Sequence, residues 1–183
     1  TVAAGTSAES FTVTTYPVTA TRTVTITVTA GGVTRTATLT VTPPSGGTPV
    51  EVIVDNGQAS LTGTWTTSTG LAGRYGTNYL HDGNAGKGSK SARFTPNLPS
   101  FGTYQVYVWY PNNPNGATNI PVEIQRPGAA TVTFSIATQR SGGGQWVLLG
   151  ACSLAGGTGC SLTIRNAGTS GYVIVDAVRF VKQ

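Results

Sequence analysis

Val and Ile alternate with Thr along the first 43 residues, and this alternation stops at the segment PPSGGTP. A period of two indicates half-buried antiparallel strands. Strands are predicted at residues 10–15, 21–30 and 34–42, with a hairpin turn at AGGV, residues 30–33. Three strands are too few to bury both faces of a sandwich. The pattern therefore predicts a partial β-unit at residues 1–43, whose apolar side chains need cover from elsewhere.

Pro and Gly at residues 44–49 predict a linker, because Pro excludes helix and Gly permits a bend. Residues 50–183 are richer in aromatic residues and Gly, and they are long enough for a complete domain. About nine short strands separated by turn signals predict a sandwich or jelly roll. The strands are expected near residues 50–55, 60–66, 88–95, 103–110, 118–125, 130–138, 145–152, 160–165 and 172–181.

Charged residues make up only 9% of the chain, against about 25% in an average domain. Its surface must therefore be covered by Thr, Ser, Asn, Gln and Gly, which is common in secreted β-modules. The net charge is +5, but Lys and Arg are scattered, so no basic stripe for nucleic acid is visible. The absence of Met favours a processed or excised chain, and no apolar run approaches the ~18 residues of a membrane span. A secreted, extracellular or cell-surface location is expected.

Two cysteines, Cys152 and Cys160, flank the turn-like segment SLAGGTG. A disulfide bond that closes this turn is favoured, and it would imply an oxidising compartment. A metal pair is much less favoured, because the only histidine lies far away in sequence and there are no further thiols. Two reduced, buried cysteines remain the alternative. No metal or other cofactor is predicted.

Catalysis is not predicted, because the six acidic residues form no close pair and no nucleophile motif is present. His81 precedes Asp82, but no Ser lies in a G-x-S-x-G elbow. Asp55 and Asp82 adjoin Asn and Gly, which favours turn capping over a calcium site.

The strand GTYQVYVWYP has two different faces. Tyr104, Val106 and Val108 are predicted to point into the core, and Gln105, Tyr107 and Trp109 to point away from it. The outer set could stack on sugars, although coverage of Trp109 by the long loop at residues 70–88 is somewhat favoured over its open exposure. Core positions are predicted for the two other tryptophans, Trp65 and Trp146.

The run from residue 70 to residue 88 lacks periodicity, and so long a loop in a compact domain is usually functional or mobile. Its aromatic residues have fewer structural duties than those on strands. The predicted carbohydrate-binding residues are therefore Tyr75, Tyr79, His81 and Trp109.

Several long motifs, among them KGSKSARFTPNLPSFGTYQVYVWYP, GGQWVLLG and GYVIVDAVRF, resemble the golvesin/xanthan-lyase carbohydrate-binding-like domain over residues 50–181. The resemblance implies a galactose-binding-like jelly-roll β-sandwich at the C-terminal end of a secreted bacterial enzyme or surface protein. It also implies carbohydrate binding, without assigning ligand residues. Residues 1–43 resemble the last strands of a bacterial immunoglobulin-like repeat, which implies a partial immunoglobulin-like β-unit.

Three functions are compatible with this sequence. The first is a non-catalytic carbohydrate-binding or attachment module of a secreted surface protein or polysaccharide-degrading enzyme, with a polysaccharide or cell-surface glycan as partner. The second is a structural subunit of an extracellular fibre, in which residues 1–43 pair with strands of another chain. The third is a fragment of a degradative enzyme whose catalytic part lies upstream. The size of the isolated chain in solution would separate the first two.

Overall fold

The computed structural model describes residues 12–15, 18, 20–42 and 50–183. The chain divides into two compact units, Thr1–Thr48 and Pro49–Gln183. The predicted linker at residues 44–49 lies outside the described residues, and the boundary between the units falls within it.

A hairpin of two antiparallel strands forms the described part of the first unit. Strands β1 (Arg22–Ala30) and β2 (Val33–Val41) pair along their whole length. Gly31 and Gly32 join them with φ angles of 56° and 77°, the positive values that a two-residue hairpin turn requires. These two strands and their turn were predicted from the alternation. The strand predicted at residues 10–15 is wrong for residues 12–15, which form no strand, and its first two residues lie outside the described part.

The second unit is an all-β sandwich, which confirms the predicted fold class. A five-stranded sheet has the order β10-β9-β12-β7-β4, a four-stranded sheet the order β11-β8-β14-β3, and a small sheet the order β13-β6-β5. Every pair within these sheets is antiparallel. The strands are β3 (Glu51–Asp55), β4 (Ser60–Thr62), β5 (Thr66–Ser68), β6 (Tyr79–His81), β7 (Ser91–Phe94), β8 (Gly102–Trp109), β9 (Thr118–Arg126), β10 (Ala129–Thr138), β11 (Val147–Leu154), β12 (Ser161–Arg165), β13 (Ile174–Val175) and β14 (Ala177–Lys182).

The core lies between the two larger sheets, where alternate residues of each strand face inward. On β8, Tyr104, Val106 and Val108 are at most 1% exposed, and the residues between them are half-buried. This confirms the predicted assignment of the two faces of β8. Phe94 on β7 and Phe180 on β14 fill the same interior from opposite sheets.

The small third sheet was not predicted, because strands of two or three residues are too short to show a period. Strand β6 interrupts the predicted loop at residues 70–88, and β5 and β13 pair with its two edges. Only residues 70–78 therefore form a continuous loop before β6. None of the described residues belongs to a helix long and apolar enough to span a membrane.

Candidate functional site

Three aromatic rings meet at one end of the outer face of the four-stranded sheet. The ring centroids of Tyr75 and Trp109 are 5.6 Å apart, and both rings lie 5.2 Å from that of Trp146. All three side chains are half-buried, so each ring keeps an accessible part. We call these three residues, together with Tyr107 and Arg179, the aromatic cluster.

Strand pairing explains why these residues meet. Tyr107 and Trp109 alternate with the core residues of β8 and so project outward, and Arg179 on β14 lies directly opposite Tyr107. Trp109 lies opposite Ala177, whose small side chain leaves room above β14. Trp146 precedes β11, the other neighbour of β8. Residues from three distant segments of the chain are thus placed on one surface.

Arg179 contacts two of the rings. Its guanidinium carbon lies 4.5 Å from the ring centroid of Tyr107 and 4.8 Å from that of Trp146, within cation–π range. One terminal nitrogen, Nη1, lies 3.5 Å from a carboxylate oxygen of Glu51. Its Nε is buried and has no hydrogen-bond partner among the described residues. Arg179 therefore contacts Tyr107 and Trp146 through its guanidinium face, and its buried Nε is not accessible to a ligand.

The loop at residues 70–78 carries Tyr75 and is held by several hydrogen bonds. Trp109 Nε1 donates to the carbonyl of Gly73 at 2.8 Å, so the loop partly covers that ring. Arg74 donates to the carbonyl oxygens of Thr77, Thr69 and Leu71 within the same loop. The backbone N–H of Tyr75 donates to Asp176 Oδ2 at 2.8 Å. The aromatic surface is therefore organised before any ligand arrives.

Asp176, which anchors this loop, is a buried carboxyl group with an incomplete set of hydrogen bonds. Its side chain is 1% exposed, and its Oδ1 atom has no partner among the described residues. Burial raises the pKa of Asp176 to about 7; the nearby Asp55 adds to this, and the Tyr75 hydrogen bond and Arg74 oppose it. The carboxyl group that holds Tyr75 thus changes its charge near neutral pH.

The predicted site residues divide between two places. Tyr75 and Trp109 meet in the aromatic cluster, as the sequence suggested. Tyr79 is 4% exposed on β6, and its hydroxyl oxygen accepts a hydrogen bond from Ser68 Oγ, so it packs in the core rather than at the surface. His81 is half-buried at the end of β6, where its ring centroid lies 5.5 Å from that of Tyr172. Neither contacts the aromatic cluster.

Sequence reasoning missed Trp146 and Arg179. Trp146 was predicted to be core, but it lies half-buried in the aromatic cluster. The Gly-rich segment before it, residues 142–144, was the available signal that it leaves a loop rather than a strand interior. Trp65 packs half-buried against the core, and its Nε1 donates to the carbonyl of Thr62. This agrees with the core position that the sequence predicted for Trp65.

Asp82 is the centre of a buried polar network. Its side chain is 0% exposed and accepts from Lys87 Nζ at 2.7 Å, Asn166 Nδ2 at 3.1 Å, and the backbone N–H groups of Asn84 and Val173. Burial opposes ionisation, but these donors, first of all Lys87, outweigh it and hold the pKa of Asp82 below its usual range. The bond from Asn84 is the predicted turn cap.

Asp55 caps as well, because its side chain accepts from the N–H of Asn56 at the start of a short 3-10 helix at residues 56–58. Within the described residues, no group of three or more His, Cys, Asp or Glu side chains could hold a metal ion.

Cys152 and Cys160 are buried thiols that are not bonded to each other in this structure. Burial raises the pKa of Cys152, with Arg126 opposing it and Cys160 adding to it. The arrangement corresponds to the alternative that the sequence left open, two reduced and buried cysteines. Formation of the disulfide in an oxidising compartment stays a prediction.

Comparisons with known proteins agree with this architecture. A segment of xanthan lyase from Bacillus sp. (strain GL1) is 46% identical over 136 residues, which are 71% of this chain and 14% of that protein. The structure of Paenibacillus xanthan lyase superposes with a TM-score of 0.71 at 41% identity, over 85% of this chain and 15% of that chain. The chain therefore spans a small part of the length of either lyase.

A family 35 carbohydrate binding module from Clostridium thermocellum superposes with a TM-score of 0.55 at 19% identity, over 73% of this chain and 99% of that module. At this identity the likeness shows the fold alone. The Golvesin C-terminal domain, as a family, matches residues 52–182, which include nearly the whole sandwich and every residue of the aromatic cluster. This chain belongs to the Golvesin C-terminal domain family.

Proposed function

We propose that the unit at residues 50–183 is a non-catalytic carbohydrate-binding module of a secreted bacterial protein, and that it contacts sugar through the aromatic cluster. The observation that carries this proposal is the meeting of three half-buried rings, Tyr75, Trp109 and Trp146, beside an arginine whose side chain is 23% exposed. Aromatic faces suit the apolar C–H faces of sugar rings, and the arginine supplies hydrogen bonds to hydroxyl or carboxylate groups.

The relatives support the same proposal. The matching segments form 14% and 15% of two xanthan lyases, so a domain of this kind occurs within much larger enzymes. We infer that this chain is likewise a piece of a larger secreted enzyme or surface protein, and that it binds the polysaccharide on which such an enzyme acts. An acidic polysaccharide such as xanthan is the first candidate, which fits the net charge of +5.

Replacement of Trp146 by alanine tests the aromatic cluster. We expect Trp146→Ala to weaken glycan binding about tenfold, because the loss of one stacking ring and its contact with Arg179 costs roughly 1–2 kcal/mol. Affinity electrophoresis in gels that contain xanthan, polygalacturonate or galactomannan measures this, and the melting temperature shows whether the fold persists.

Phe101→Ala is the matched control, because Phe101 is a large aromatic side chain that is 73% exposed and lies outside the aromatic cluster. It should leave binding unchanged. Equal losses in both variants, or binding that survives Trp146→Ala with every glycan, would refute the assignment of this surface.

Self-association through residues 1–43 is a second candidate function, favoured by the hairpin of the first unit. Val24, Ile26, Leu39 and Val41 line an apolar groove of about 410 Å³ on one face of the hairpin. Val24 is 53% exposed, although the alternation predicts it as an inner residue. The groove is also lined by Val13, Thr14, Thr15 and Val18, which form no strand. Among the described residues neither β1 nor β2 pairs with a further strand, so the hairpin is a template for strands of a second copy.

Sedimentation velocity of the full chain tests this candidate. We expect concentration-dependent assembly that Val24→Glu abolishes, because a carboxylate on the apolar face cannot be buried without a partner. Thr25→Glu, on the opposite side of the same strand, is the control and should assemble normally. A full chain that stays monomeric at high concentration would exclude the fibre function and leave the carbohydrate-binding function in place.

A further inference from the structure

The outer face of the five-stranded sheet is polar, curved and distinct from the aromatic cluster. Its side chains form two rows of directly paired residues across neighbouring strands. The first row is Ser60, Arg93, Thr163 and Glu123, and the second is Thr62, Ser91 and Arg165. On β12 these outward residues alternate with Leu162 and Ile164, which are in the core. We call this surface the arginine trough.

The arginine trough is concave. Thr163 is 6% exposed and Ser91 9% exposed, although both point away from the core, so longer neighbours rise around them. Arg93, Arg165 and Gln125 line a depression of about 360 Å³ above these two residues. Gln125 also lines a second depression of about 310 Å³, beside Arg126 and Thr131, so the two depressions adjoin. Together they cross the sheet, whose four strand spacings measure roughly 19 Å.

Positive charge exceeds negative charge in this surface. Glu123 Oε2 accepts from Arg165 Nε at 2.9 Å, and Arg126 Nε donates to the carbonyl of Ala130. Arg93 is exposed, and its side chain forms neither a hydrogen bond nor an ion pair with any residue that the structure describes. One arginine is thus paired with the only acid of the two rows, and a second, diagonal to it across β7 and β12, remains available.

The chemistry of the arginine trough selects one class of ligand. No aromatic ring lines either depression among the described residues, so sugar stacking cannot supply the binding energy there. Guanidinium groups bind carboxylates through paired, charge-assisted hydrogen bonds, and Thr, Ser and Gln side chains bind hydroxyl groups. A polysaccharide that carries both carboxylate and hydroxyl groups can therefore form hydrogen bonds with the arginine side chains and with the Thr, Ser and Gln side chains of this surface.

We propose that the arginine trough is a second glycan-binding surface, specific for carboxylate-bearing polysaccharides, on the opposite outer face of the sandwich from the aromatic cluster. Arg93 binds a sugar carboxylate directly. Arg165, held by Glu123, binds hydroxyl groups or a second carboxylate, and Gln125 connects the two depressions. The proposal is independent of the aromatic cluster, since the two surfaces share no residue. One molecule can then hold two segments of polysaccharide, or two chains, at once.

Isothermal titration of the full chain with trigalacturonate, and with uncharged galactotriose as the neutral probe, tests this proposal. We expect saturable binding of trigalacturonate that Arg93→Gln weakens about tenfold and that added salt weakens further. Galactotriose should not bind the trough. Glu123→Gln should strengthen trigalacturonate binding two- to threefold, because it removes a carboxylate that competes for Arg165. If Arg93 were only structural, we would not expect Arg93→Gln to weaken trigalacturonate binding while Glu123→Gln strengthens it.

Arg35→Gln is the matched control, because Arg35 is an exposed arginine on the hairpin of the first unit, and its loss changes the net charge equally. It should leave the affinity unchanged. Equal losses in Arg35→Gln and Arg93→Gln would mean attraction by net charge alone, and would overturn the proposal. Loss of trigalacturonate binding in Trp146→Ala, with Arg93→Gln unaffected, would assign acidic glycans to the aromatic cluster and also overturn it. The aromatic cluster fails separately, if Trp146→Ala leaves binding to every polysaccharide intact.

Discussion

Asp82→Ala is expected to destabilise the second unit by about 3–5 kcal/mol, since it removes the acceptor at the centre of a buried charged network. Lys87 Nζ loses its carboxylate partner, and Asn166 loses one acceptor. The backbone N–H of Val173, beside β13, loses its partner in the interior. The network connects β6, the turn at residues 83–88 and β13, so its loss loosens the whole small sheet. Urea denaturation followed by tryptophan fluorescence measures the change.

Two variants separate the roles of Asp82. Asp82→Asn keeps an acceptor oxygen but loses the charge that pairs with Lys87, so its cost should be smaller than that of alanine. Asp55→Ala removes a cap from a short 3-10 helix and should cost only about 1 kcal/mol. If Asp82→Ala costs no more than Asp55→Ala, the network contributes little and the small sheet is held by its apolar side chains instead.

The same network makes the stability of the second unit depend on pH in the acidic range. The folded state lowers the pKa of Asp82, so its stabilising contribution is complete above the ordinary pKa of an aspartate and is lost as the pH falls through the folded value. This places the effect of Asp82 below about pH 4. It does not overlap with the effect of Asp176, whose pKa is shifted in the opposite direction.

The sequence was sufficient to predict what depends on local pattern. The alternation of β8 assigned Tyr104 and Val106 to the core and Trp109 to the outer face, because successive side chains of any strand point to opposite sides. The turn at Gly31 and Gly32 was predicted because few other residues adopt two successive positive φ angles. The family resemblance, carried by long motifs, predicted the architecture that the sheets then showed.

Long-range pairing decided the rest, and it leaves little trace in a single sequence. Arg179 reaches Tyr107 only because β14 pairs with β8 in one particular register. Trp146 joins them because β11 pairs on the other side of the same strand. A shift of that register by one residue would turn every outward side chain inward, and the Gly-rich segment before Trp146 indicates a loop but not this register. For this reason two of the five residues of the aromatic cluster could not be predicted.

Tyr79 shows the converse error. Its segment has no period, so it was predicted to be a surface loop, yet β6 pairs with β5 and β13 and carries Tyr79 into the core. The segment is polar and Gly-rich on both sides, and its burial results from partners that lie about 12 and 95 residues away along the chain. The burial of such a short strand depends on the strands with which it pairs, so its own composition does not predict it.

Asp176 makes the stability of the second unit depend on pH, and we expect the domain to lose stability as the pH rises from about 4 to about 7. The ordinary pKa of the carboxyl group is 3.8, whereas burial, with Asp55 adding to it, raises the pKa of Asp176 to about 7 in the folded chain. Between these values the folded state binds a proton that the unfolded state has released, so the stability falls with rising pH. Above pH 7 both states are ionised and the loss is constant.

Asp176→Asn isolates this effect, because the amide oxygen can still accept from the N–H of Tyr75 but no charge can form. Burial lowers the pKa of His81 from its ordinary value of 6.5, so His81 also contributes to the pH dependence, and the informative quantity is the difference in unfolding free energy between the variant and the native chain. We expect that difference to shift in favour of Asp176→Asn between pH 5 and pH 8 by an amount on the order of a few kcal/mol. Urea denaturation at several pH values measures it.

Asp55→Asn provides an independent check, because removal of the neighbouring negative charge should lower the pKa of Asp176 and reduce the pH dependence without abolishing it. Identical pH profiles for the native chain and Asp176→Asn would show that the carboxyl group does not titrate in this range. If the profiles differ as expected, the loss of stability comes from burial of the charge, because the ionised carboxylate of Asp176 accepts a stronger hydrogen bond from the N–H of Tyr75 than the neutral acid does. Tyr75, which this hydrogen bond holds against Trp109 and Trp146, should then stay ordered at both pH values, so we expect glycan affinity at the aromatic cluster to change little between pH 5 and pH 8 while the domain remains folded.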